Sequence, residues 1–227
     1  MTKKNIVLIV LIFSILSCST KNNKSISKHF FLEEPLPKNV LEKYLEKTSL
    51  PNIENGIGDF ELRKWFPFYH LDCFPVALER IYVQNGILNA DCFLFSDKNG
   101  GLITSKDELQ EFQFEKFTIT NLPNQLLDSL RLRYSLALID TFDFNLIKDK
   151  MATGYTTGTP REYFFEQSDE KNYYATFISD PEFFPELHPS IDKYADLGKF
   201  IHNVFILNDS TFKEWFDGNA SKIVNSR

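Results

Sequence analysis

The sequence predicts an α+β domain, an antiparallel sheet built of hairpins with flanking helices, and three observations lead there. Residues 79–84 and 87–95 are two apolar-rich runs either side of Asn85-Gly86, the dipeptide that two-residue type I′ turns favour. Residues 162–167 and 172–179 are aromatic runs flanking the polar stretch 168–171, which reads as a second hairpin. Helical spacing lies mostly before and after these runs, without the regular strand–helix alternation of a parallel βαβ sheet.

Taken in order, the first element begins at Asn39. Val40, Leu41, Tyr44 and Leu45 share a stripe, with Glu42, Lys43, Glu46 and Lys47 away from it, so a short amphipathic helix is expected to end before Pro51. Residues 52–59 hold two glycines and read as loop. Residues 60–74 are aromatic and broken by Pro67, as suits an edge strand or an irregular cover on the core. In the first hairpin a two-residue turn sets Val83 opposite Leu88, Ile81 opposite Ala90, and Arg80 opposite Asp91 as a favourable charge pair. The rival is a helix over 75–84 with Gly86 as its cap, but Tyr82 and the β-branched Ile81 and Val83 favour a strand.

A turn over 97–101 then leads into 102–104, and residues 112–120 read as another strand. There Phe112 and Phe114 share one face while Phe117 and Ile119 share the other, so a bulge near Glu115 is expected to restore a single buried face. Leu126, Leu127 and Leu130 give 122–133 a helical stripe with Pro123 in its first turn; residues 134–139 either continue it or form a buried strand. Residues 142–151 read as a short helix. Pro181, Pro185 and Pro189 break the chain, after which Ile191, Tyr194, Ala195, Gly198 and Ile201 line up at helical spacing. A last helix holds Phe212, Trp215 and Phe216, capped by Asp209 or Ser210 and stopped at Gly218. No internal repeat is visible.

Composition bounds the function. The chain is 43% hydrophobic and 25% charged, ordinary globular values, so a packed core is expected. With 23 phenylalanines against 9 glycines, rings must fill much of it. A net charge of -6 without a long basic run argues against nucleic acid as a partner.

The N-terminus supplies an address. Lys3-Lys4, the apolar run 6–16 and Ile15-Leu16-Ser17-Cys18 have the pattern of an export signal, too short for a stable span of about 20 residues. The closing cysteine resembles the lipobox of bacterial lipoproteins, over the first eighteen residues only and with Ile15 where leucine is commoner. That resemblance implies cleavage before Cys18, a lipid on its thiol, and membrane lipid as a partner. Several acyl chains on one residue would anchor far more firmly than one. The alternatives are an uncleaved apolar anchor and a plain secretory signal cut elsewhere. The chain then divides into a signal over 1–17, a lipidated cysteine and flexible tether over 18–32, one globular domain over 33–218, and a tail over 219–227. Ser19 in place of aspartate favours the outer membrane by the enterobacterial sorting rule, and the absence of acids in the tether favours its periplasmic face.

Several candidate sites follow. Cys73 and Cys92 either form a disulfide, which an extracytoplasmic address permits, or stay apart as buried thiols. His70 and Asp72 would project to one side of an extended segment, as an acid/base pair or a metal site needs. The four histidines, however, lack metal-ligand spacing. Asp97, Asn99 and Asp107 resemble part of an EF-hand calcium loop, one residue short before its glycine, and read more simply as a hairpin turn. The Gly/Thr-rich stretch 154–161 lacks the lysine of a phosphate loop. Tyr163, Phe165, Tyr173 and Tyr174 offer an aromatic surface for a protein or glycan partner, provided helices leave it open. The expected function is therefore a non-enzymatic, lipid-anchored envelope binding protein with no cofactor. The alternative is an envelope hydrolase using His70 and Asp72, with or without a divalent ion.

Overall fold

The computed structural model describes residues 26–31, 37–54, 56, 59–66, 74–137, 162–170, 172–179 and 189–225. Their strands are β1 (Ile26–Phe31), β2 (Glu61–Phe66), β3 (Ala77–Gln84), β4 (Ile87–Ser96), β5 (Gln113–Leu122), β6 (Glu162–Ser168) and β7 (Asn172–Ser179). Four helices accompany them: α1 (Lys38–Thr48), α2 (Gln125–Ala137), α3 (Pro189–Asn208) and α4 (Phe212–Asn225). The strands form one sheet in the order β1-β7-β6-β2-β3-β4-β5, antiparallel throughout except where β1 joins β7 in parallel. The fold is α+β, as the hairpin signals predict.

Local chemistry accounts for the hairpins. Asn85 and Gly86 both take positive φ, 54° and 75°, as a type I′ turn requires, and the three cross-strand pairs expected from it are all in register. In the second hairpin the Asp169 carboxylate accepts the Asn172 N–H at 2.9 Å, holding the turn between β6 and β7.

The alternation of β5 resolves differently from expectation. Its extra residue lies at Thr120-Asn121, where Asn121 takes a φ of 61°, and not near Glu115. No slip is needed at Glu115 because both faces of the sheet are covered. Phe112 and Phe114 pack into one cluster, Phe117 and Ile119 into the other.

Further expectations are corrected by non-local packing. β2 is central, between β6 and β3, and ends at Phe66, one residue ahead of the proline that a central strand would not tolerate. Residues 26–31, expected within a flexible tether, lie along β7 with Ile26 opposite Asn172 and Phe31 opposite Phe177. The outer edge of β7 offers backbone donors and acceptors that pair with almost any sequence, so no side-chain pattern announces this strand. Residues 134–137 continue α2. α4 runs through Gly218 to Asn225, into the expected tail, because Ile223 buries against Val76, Ala77 and Leu94. Glycine within a helix costs only about 1 kcal/mol relative to alanine, and Gly218 does not adopt the left-handed conformation of a cap. Residues 142–151 and 154–161 lie outside the described residues.

Two ring-rich cores result. On one face α2, α3 and α4 cover Leu62, Ile81, Ala90, Cys92 and Phe165 with Tyr134, Tyr194, Leu197, Phe205 and Phe212. On the other, α1 brings Tyr44 against Trp65, Phe93, Phe95 and Phe112. The Tyr44 ring stands edge-on to Phe95 with centroids 4.6 Å apart, and its hydroxyl donates to the Pro75 carbonyl at 2.9 Å. Burial pushes that hydroxyl's pKa up, so it stays a neutral donor.

Candidate functional site

On the face that carries α3, charged side chains interrupt the apolar core. Lys64 of β2 stands directly opposite Glu79 of β3, which in turn stands opposite Cys92 of β4. Lys64 is 3% exposed and Glu79 is 0% exposed, so neither charge is solvated and each needs a partner. The Lys64 ammonium donates to Glu79 Oε2 at 3.3 Å and to the Gly198 carbonyl at 2.8 Å, and sits 3.9 Å from the centre of the Phe66 ring. The bare Cα of Gly198 leaves room beside the lysine that an added Cβ would take up, 3.4 Å from Lys64 Cε.

The second oxygen of Glu79 pairs with His202 Nδ1 of α3. A carboxylate only accepts, so Nδ1 carries the proton and the other ring nitrogen, Nε2, is left on the opposite edge. Phe212 and Phe216 meet the imidazole edge-on at 5.6 and 5.2 Å and hold its orientation.

Above this ionic floor lies a cleft of about 480 Å³. Phe66 and Phe216 form its walls, Ala195 and Gly198 one helix surface, and Lys199, His202 and Asn203 its polar rim. A chamber of about 130 Å³ shares Phe66 and Phe216 as walls and is otherwise lined by Val76, Ala77, Leu94, Ala220 and Ile223. Among the described residues lining the cleft there is no serine, threonine or cysteine to act as nucleophile. Cys92 is a free thiol beyond Glu79, 0% exposed; burial pushes its pKa up and the Glu79 charge adds to that, so it is held as a thiol.

The opposite face carries a second ionic group with a different character. Arg63, Arg80, Asp91 and Thr118 lie in one row across β2, β3, β4 and β5. Glu61 accepts from Arg63 Nε at 2.6 Å and from Arg80 Nε and Nη2 at 2.7 and 2.8 Å. Asp91 takes Arg80 Nη1 at 3.2 Å, Lys116 Nζ at 3.1 Å and the Thr118 hydroxyl at 2.8 Å. Burial pushes the Glu61 carboxyl up, but the hydrogen bonds and charges of Arg80 and Arg63 outweigh it and hold it below the usual carboxylate range. The side chains of this row line neither the cleft nor the chamber on the α3 face. It stitches four strands together.

The residues singled out from sequence fall elsewhere. Cys18, His70, Asp72 and Cys73 lie outside the described residues. Phe165 and Tyr173, expected on a binding surface, are buried at 0% and 4% on opposite faces, and Tyr174 is half-buried beside Tyr134. The aromatic surface is therefore core, because helices cover one sheet face and α1 covers the other; of Tyr163 only the backbone, in β6, is described. Asp97 Oδ1 accepts the N–H groups of Asn99 at 2.8 Å and Gly101 at 2.7 Å, so the calcium-like stretch is a tight turn that opens the connection from β4 to β5, with no strand at 102–104 to make it a hairpin. Asp107 precedes a short 3₁₀ turn. Among the described residues no group of three or more His, Cys, Asp or Glu is placed to hold a metal ion.

No known protein family, curated protein or solved structure matches the chain. Among the described residues no helix is long and apolar enough to cross a membrane. Lys64, Glu79 and His202 were missed because they meet only across strands and a helix. The one available signal was a charged residue on the inward face of an otherwise apolar strand, which is informative wherever it occurs.

Proposed function

We propose that this chain is a lipid-anchored cell-envelope protein, held by Cys18 to the outer membrane on its periplasmic side, that works by binding a ligand in the cleft between α3, α4 and the sheet. The lipobox-like stretch ending at Cys18 supports the address. The observation that carries the binding role is the composition of the cleft: apolar ring walls, donors at the rim, and an ionic floor whose charges are already paired. Such a site grips and orients a molecule, and the described residues that line it include no hydroxyl or thiol. The alternative, a hydrolase using His70 and Asp72, rests on residues outside the described ones.

Native mass spectrometry of the protein purified from its own membranes tests both halves. The N-terminal residue is expected to be an acylated Cys18, and a small-molecule adduct is expected that disappears in Asn203→Trp, where a large ring at the exposed rim blocks the cleft. An unmodified Cys18 overturns the address. A ligand-free cleft, or an adduct indifferent to the tryptophan, overturns the binding role.

A further inference from the structure

We infer that the cleft takes an amphiphile with a single anionic head and a short apolar tail, of the medium-chain carboxylate class. This rests on the binding role proposed above and specifies its ligand.

Charge selects the head. The chain as a whole is acidic, at -6, yet among the described residues no acidic side chain lines the cleft. Glu79 lies beneath it, fully buried, with its charge spent on Lys64 and His202. Lys199 stands exposed at the rim beside Asn203, so a ligand arriving from solvent meets an ammonium and a side-chain amide as donors. That local reversal of sign favours an anion and disfavours a cation.

Shape and polarity select the tail. Phe66 and Phe216 line both the cleft and the apolar chamber, so the two spaces adjoin, and the chamber is where the tail of a molecule whose head is at Lys199 is assigned. Beyond the two rings every described lining residue, from Val76 to Ile223, is hydrocarbon. A chain placed there leaves water without burying any polar group, whereas a polar tail would lose its hydration with nothing in return.

Calorimetry on the full mature protein with hexanoate, octanoate and decanoate tests this, with octan-1-ol and octylamine as head-group controls. Each added methylene is expected to tighten binding about fourfold until the chamber is full. Octanoate is expected to bind at least about tenfold more tightly than octylamine. Lys199→Glu, an exposed substitution, is expected to weaken octanoate by roughly tenfold and leave octan-1-ol unchanged. Ala220→Trp, which fills the chamber, is expected to flatten the chain-length series, with unchanged far-ultraviolet dichroism certifying that it folds. A flat series in the wild-type protein, or octylamine binding as tightly as octanoate, overturns the inference. If the purified protein carries another ligand that Asn203→Trp displaces while no carboxylate binds, the binding role stands and the ligand class falls.

Discussion

Replacing Glu79 by leucine removes the carboxylate from between Lys64 and His202 while keeping the volume of the site roughly filled. Lys64 is 3% exposed, so its ammonium would stay in the protein interior without this carboxylate, with the Gly198 carbonyl at 2.8 Å and the face of Phe66 among the contacts it keeps. Breaking a buried pair by removing one partner costs about 3–5 kcal/mol; with the carbonyl and the ring retained, the lower end, about 3 kcal/mol, is expected. A typical domain has about 5–15 kcal/mol of stability, so the variant folds with a much reduced margin. Changing Lys64→Met in the same chain removes the stranded charge, and the double variant is expected within about 1 kcal/mol of wild type or above it. Urea unfolding followed by tryptophan fluorescence reads both, with an unchanged slope certifying that the midpoint reports stability. If Glu79→Leu costs less than about 1 kcal/mol, or the double variant is no better than the single one, the pair is not the closed, desolvated unit described above.

Glu61 makes a pH-dependent contribution. Its folded pKa is depressed below the unfolded value of about 4.3, so its stabilisation is present above that pH and is lost as pH falls through the folded value. Glu61→Gln is therefore expected to be less stable than wild type at pH 7, with the gap closing in acid; urea midpoints at pH 7, 4 and 3 check this, and a gap that stays constant refutes it. Cys92, a buried thiol with a raised pKa, is expected to resist a thiol reagent at pH 8 until the domain unfolds, measured in a chain with Cys18→Ser and Cys73→Ser; prompt stoichiometric labelling of the native protein would show an accessible thiolate instead.

Much of the fold was legible because it is local. Asn85-Gly86 dictates a left-handed turn, the turn dictates the register of β3 on β4, and that register puts Arg80 against Asp91 without reference to the rest of the chain. α1 was legible for the same reason: Val40, Tyr44 and Leu45 recur at helical spacing and are the residues it buries. The aromatic hairpin was placed correctly, but its exposure was not, since whether a second layer covers a sheet is absent from the strand's own pattern.

The sequence by itself determined the turns, the hairpin registers and the apolar stripes, all set by interactions between residues near one another along the chain. Tertiary structure alone decided that β2 is central, that residues 26–31 add a parallel edge strand, and that α4 continues past Gly218. It also made the cleft. Lys64 and Glu79 are paired across two strands, and His202 reaches them from a helix far along the chain. The physical reason is desolvation: a charge becomes informative only once the surrounding layers remove it from water, and no short stretch of sequence states which layers those are.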